Sequence, residues 1–222
     1  MRDTVYIIAG GNSLQGFDFA SLEGCETIVV NKALFNVKNP TYFVTMDYSF
    51  LRKCPGAVQQ LPASVTKVFV AALDVPYLVE EQGIIVDTRS KLVYDLSPFD
   101  IVIKSKHKNG LGRNWNHFCT GWNSGFCALQ FAVIMGYRRI VLLGIDLNTT
   151  GKTHYHGGYG ESVQSFNKKL IAYYESFKDG LRPANLNGQK IYNCSKGSKL
   201  ENVIGYTPIE EALQWRHQQN RC

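Results

Sequence analysis

The sequence predicts an α/β fold: a single Rossmann-like domain over residues 1–222, with a mainly parallel sheet covered by helices on both faces. Three observations carry that expectation. Two apolar runs, Thr4-Val5-Tyr6-Ile7-Ile8-Ala9 and Arg139-Ile140-Val141-Leu142-Leu143-Gly144-Ile145-Asp146, lack the polar alternation of a half-exposed strand, as expected when helices cover both sides of a sheet. Further β-rich runs end on a polar residue, and helical periodicity falls between them. The composition, 45% hydrophobic and 19% charged, suits a chain of 222 residues that buries one core, and no repeat, low-complexity tract or linker divides it.

In chain order, Gly10 and Gly11 break the first run, and Asn12 and Ser13 are placed to cap a helix through Leu14 to Leu22. Strands follow at Thr27–Val30 and Tyr42–Met46, ending at Asn31 and Asp47, and a fourth at Lys67–Val70. Residues 74–118 mix short β-like pieces, Gly83–Val86 and Ile101–Ile103, with Gly110-Leu111-Gly112 and polar residues, and read as an irregular insertion or lid. From Ser124, the apolar residues Phe126, Leu129, Ala132 and Val133 repeat at helical spacing until Gly136 closes the segment as a C-terminal cap. After the strand ending at Asp146 comes a Gly/His/Tyr-rich loop at 148–160, an amphipathic helix from Ser162 to Phe177 and a strand at Gln189–Asn193. The last helix begins at Pro208, with Thr207 as its cap.

The 24 Lys and Arg against 18 Asp and Glu give a net charge of +6, a mild attraction for anionic ligands. The densest basic groups, Lys104-Ser105-Lys106-His107-Lys108 and Arg138-Arg139, are short and lack interleaved aromatic platforms, so nucleic acid is not the expected partner. Six cysteines without a Cys-x-x-Cys pair or a grouping with histidine read as reduced thiols. With no long apolar stretch, and Val5–Ala9 too short for a signal peptide, a cytoplasmic protein without a transmembrane segment is expected.

Four motifs carry the functional expectation. In Ala9-Gly10-Gly11-Asn12-Ser13-Leu14, a strand-to-helix turn, glycine lets the backbone approach a ligand and N–H groups can receive an anion; the alternative is a plain tight turn. Neither the full G-x-G-x-x-G pattern nor an acidic residue at the second strand's end is present, which disfavours a nicotinamide dinucleotide. Asn123-Ser124-Gly125 opens the best helix with donors and little bulk, suited to phosphate or carboxylate, or to ordinary capping. Asp47 and Asp146 end two strands and could bind ribose hydroxyls, position a nucleophile or share a magnesium ion. The loop containing His154, Tyr155, His156 and Tyr159 offers imidazoles for acid–base work near neutral pH, or is an exposed polar loop.

The order Ile7-Ile8-Ala9-Gly10-Gly11-Asn12-Ser13-Leu14, Asn31-Lys32, Asn123-Ser124-Gly125, Gly144-Ile145-Asp146 and His154 to Gly157 resembles the bacterial sialyltransferases of glycosyltransferase family forty-two. It also resembles a wider Rossmann-like group, found in phage and microbial genomes, that contains the archaeal-type 6-hydroxymethylpterin diphosphokinases. The first resemblance implies a CMP-sugar donor across the strand ends, approached by Gly10, Gly11, Asn12 and Ser13 and contacted by Asn31. Asn123, Ser124 and Gly125 would bind its phosphate or carboxylate, and His156, or else His154, would deprotonate the acceptor hydroxyl of a glycan. The implied reaction inverts the anomeric carbon and has no obligatory cofactor or metal. Two positions where that family carries tyrosine hold Asn148 and His154 here, with Tyr155 and Tyr159 as substitutes, and Gly121 stands in place of an arginine. The second resemblance implies ATP and magnesium, with Asp47 and Asp146 as metal ligands. A non-catalytic phage or accessory protein that keeps the fold is a third reading, and a homo-oligomer is compatible with all three.

Overall fold

The computed structural model describes residues 2–107, 109–149, 154–155, 162–182, 186 and 188–215. Among the described residues, seven strands form one sheet in which every neighbouring pair is parallel: β1 (Arg2–Ile8), β2 (Thr27–Val30), β3 (Tyr42–Thr45), β4 (Thr66–Ala72), β8 (Ile101–Ser105), β9 (Tyr137–Leu143) and β10 (Lys190–Asn193). Their spatial order is β10-β9-β1-β2-β3-β4-β8. The two unbroken apolar runs of the sequence are β1 and β9, and they pair centrally, from Arg2 with Tyr137 to Ile8 with Leu143.

Side chains alternate across the pleat into two cores, one on each face. On one face Val5, Ile7, Ile28, Val44 and Leu142 meet α2 (Ser124–Ile134) and α3 (Val163–Gly180). Phe126 of α2 and Phe177 of α3 pack edge to face at 5.3 Å, and each is fully buried, which is worth about 1.5–3 kcal/mol per side chain. On the other face Tyr6, Ile8, Val29, Phe43 and Phe69 are covered by short elements, among them α1 (Tyr48–Lys53) and α5 (Ile209–Gln214).

The structure departs from the sequence reading in four places. The helix expected through Leu14 to Leu22 is two 3₁₀ turns, Asn12–Leu14 and Phe19–Leu22. Gly16 at φ 77° turns the chain between them, and Asp18 starts the second by accepting the Ala20 N–H. Within 74–118, the strands β5 (Leu78–Glu81), β6 (Ile84–Asp87) and β7 (Leu92–Asp95) make an antiparallel sheet of their own, and β8 joins the main sheet. The helix α2 buries nearly its whole circumference rather than one stripe, because it lies between the sheet and α3. Thr207 does not cap the last helix; its N–H donates to the Asn193 carbonyl, and Pro208 takes the cap position. The sequence reading also passed over α1 and the short α4 (Glu201–Ile204). Among the described residues no helix is long and apolar enough to cross a membrane.

Candidate functional site

From β1 the chain builds outward through β2, β3 and β4 to β8; α2 then returns it across the sheet to β9, on the other side of β1. The strand order therefore reverses between β1 and β9, and open parallel sheets bind ligands outside the carboxyl ends of the strands at such a point. A cavity of about 280 Å³ stands there, at the lower end of the usual range for small-molecule sites. Gly10 and Gly11 after β1, Asn31 after β2, Asp47 after β3 and Asp146 after β9 all line it, together with Asn123, Ser124 and Gly125. Asn12, Ser13 and Tyr155 are not among its walls.

The glycine turn uses its donors internally. The Gly11 N–H donates to the Gly144 carbonyl at 2.8 Å, and Ser13 donates to Asp146 through both its N–H, at 2.8 Å, and its hydroxyl, at 2.5 Å. The Asn12 N–H adds a further bond to that carboxylate. The anion held by this turn is thus the protein's own Asp146, which removes these N–H groups from the ligand role expected of them. Asp146 is 6% exposed, and burial raises its carboxyl above the ordinary aspartate range, against the opposing pull of the bonds from Ser13 and Asn12. Both of its oxygens are engaged by Ser13, so sharing a metal with Asp47 would compete with the turn itself.

The other polar groups are tied more loosely. Asn31, at the cavity wall, accepts the Thr45 hydroxyl at 2.6 Å through its amide oxygen, and its amide nitrogen can act only as a donor. Asp47 begins α1 by accepting the Ser49 N–H at 2.8 Å, and Asn123 begins α2 by accepting the Phe126 N–H at 2.9 Å. Both cap readings are therefore realised alongside a place at the cavity. The Ser124 hydroxyl accepts the Met46 N–H at 3.2 Å and links α2 to the end of β3. The first-turn N–H groups of Ser124 and Gly125 lie beyond the reach of any helix carbonyl, and the positive end of the helix dipole coincides with them.

His154 lines the cavity and rests on Phe166 of α3, with 4.9 Å between ring centres. Tyr155 points elsewhere: its N–H donates to the Gly10 carbonyl, its hydroxyl accepts from Asn36 at 3.0 Å, and its ring lies 6.0 Å from that of Phe19. Burial pushes that hydroxyl up to about 12, so it stays protonated at neutral pH. Tyr155 anchors the loop to the glycine turn. His156 and Tyr159 lie outside the described residues.

Sequence reasoning missed the contribution of α3. Phe166, Lys169, Leu170 and Tyr173 line the cavity, and Lys169 brings a basic side chain to it. Their 3–4–7 spacing marks them as one helical stripe, a signal the sequence does contain. Backbone strain also gathers at the cavity. Asn31, Trp122 and Leu147 adopt φ values of 52°, 54° and 54°, a region that costs a non-glycine residue roughly 1–3 kcal/mol and recurs at functional sites.

No family model and no curated protein matches this sequence. Among solved structures, the chain is similar to the sialyltransferase CstII from Campylobacter jejuni in complex with the substrate analogue CMP-3FNeuAc, with 15% identity and a TM-score of 0.48 over 92% of this chain and 85% of that chain. For the complex of the same enzyme with cytidine-5'-monophosphate the values are 15%, 0.49, 93% and 85%. For the sialyltransferase CST-II with a trisaccharide acceptor and CMP they are 16%, 0.44, 93% and 86%. The likeness is one of fold.

Proposed function

We propose that the chain is a glycosyltransferase that uses a nucleotide-sugar donor of the CMP-sialic-acid type. The observation that carries this reading is the convergence of strand ends, the α2 N-terminus and Lys169 on one cavity at the point where the strand order reverses. Such a donor carries a phosphate and a carboxylate. The Ser124 and Gly125 N–H groups and the Lys169 ammonium suit those anions, and the Asn31 amide and the Asp47 carboxylate suit base or ribose polar groups.

In the proposed reaction the acceptor oxygen attacks the anomeric carbon while the bond from that carbon to the phosphate oxygen breaks. The nucleoside monophosphate leaves with the electron pair, and a histidine of the loop, His156 or His154, takes the acceptor proton. Hydroxyl and ammonium donors at the leaving phosphate, Tyr173 and Lys169 among them, would stabilise the charge that develops there.

A thermal-shift panel tests this. CMP and CDP are expected to raise the melting temperature by the same amount with and without EDTA. A stabilisation by ATP that vanishes on chelation would replace this reading with the magnesium-dependent one. No response to any nucleotide would mark a protein that keeps the fold without the chemistry.

A further inference from the structure

Trp122 carries two costs. Its φ of 54° lies where a bulky residue is strained, and the residue, large and apolar, is 40% exposed. Both fall at the wall of the cavity. The backbone beneath the indole is firmly held. The Thr120 hydroxyl, fully buried, accepts the Trp122 N–H at 3.3 Å. Gly121 packs so closely on Phe126 that a Cβ would stand 2.6 Å from its Cδ1, and the Gly121 carbonyl accepts the Ser176 hydroxyl of α3 at 3.4 Å. That last bond ties Gly121, the residue before Trp122, to the turn of α3 next to Tyr173, while His154 rests on Phe166 of the same helix. Trp122 and His154 both line the cavity, each beside α3, whereas Asn31 and Asp47 follow the ends of β2 and β3.

We propose that Trp122 is the acceptor platform: its exposed indole stacks on the C–H face of the hexopyranose ring whose hydroxyl is glycosylated. This rests on the sugar-transfer reading and adds the acceptor's class to it. The negative face of an indole attracts the weakly positive C–H groups of a pyranose ring, and Trp122 lines the same cavity as His154, beside the same helix. Exposure and strain at Trp122 are then the cost of presenting a rigid flat surface to a ligand.

The test compares the full chain with Trp122→Ala and Trp122→Phe. Two readouts are used: the thermal shift with CMP, and saturation-transfer NMR with methyl β-D-galactoside and methyl β-D-glucoside, each with and without CMP. The expected result is an unchanged CMP shift in both variants, which also reports that they fold. Sugar ring C–H signals should be present in the parent chain, kept in Trp122→Phe and weakened about tenfold in Trp122→Ala. Loss of the CMP shift in Trp122→Ala would put the indole on the base and overturn the proposal. Sugar signals undiminished in Trp122→Ala, or absent from the parent chain, would also overturn it. A parent chain that contacts the sugars through Trp122 but gives no CMP shift would instead defeat the donor reading and leave the platform standing.

Discussion

Gly11 and Asp146 depend on each other although 135 positions separate them in the chain. A Cβ on Gly11 would stand 2.5 Å from the Asp146 Cγ and 2.6 Å from the Gly144 carbonyl oxygen, so only glycine lets the turn close over that carboxylate. Gly11→Ala is expected to lower unfolding free energy by about 1–3 kcal/mol, read by urea denaturation, and to abolish the CMP thermal shift by moving the floor of the cavity. At this scale the sequence was half legible. A charge placed directly after so apolar a strand announces a partner for Asp146, because a buried carboxylate needs one. That the partner is Ser13 follows only from the pairing of β1 with β9. Tyr155 is the reverse case: it sits in the histidine loop by sequence, yet its hydroxyl is bonded to Asn36, away from the cavity.

Among the elements, α2 connects the fold to the site. Its first turn lines the cavity while the rest of it packs across β3, β2, β1 and β9. Asn123→Ala removes the side-chain acceptor for the Phe126 N–H and is expected to cost about 1 kcal/mol of stability, measured by denaturant titration. It should also weaken CMP binding, because the Asn123 oxygen holds the turn from which Ser124 and Gly125 present their N–H groups. The apolar spacing from Phe126 to Val133 identified α2 correctly, but suggested one buried stripe. Periodicity reports where apolar residues lie; it does not report how many neighbours a helix will have. The 3₁₀ turns in place of a helix at Leu14–Leu22 have a local cause, Gly16 and the capping Asp18, and composition alone underweighted it.

Across the whole molecule, the small antiparallel sheet is fastened to the main one. Ile85 of β6 is fully buried in the same core as Phe43 and Phe69, and Leu78 and Tyr94 pack against that core. Ile85→Ala is expected to cost about 2–5 kcal/mol and to lower the midpoint of a single unfolding transition, the same by circular dichroism and by tryptophan fluorescence. Two separated transitions would instead mark the small sheet as a unit that unfolds by itself.

By itself the sequence determined the α/β class, the apolar strands at the centre of the sheet and the polar residues that end them. Those features are local: a strand buried on both faces must be apolar throughout, and it must turn where the apolar run stops. Only the tertiary structure decided which strand ends became neighbours, that Asp146 would claim the donors of the glycine turn, and that Lys169 and Tyr173 would complete the cavity. The reason is physical: strand order and helix placement are set by the packing of two whole cores, and residues far apart in the chain meet only once both have formed.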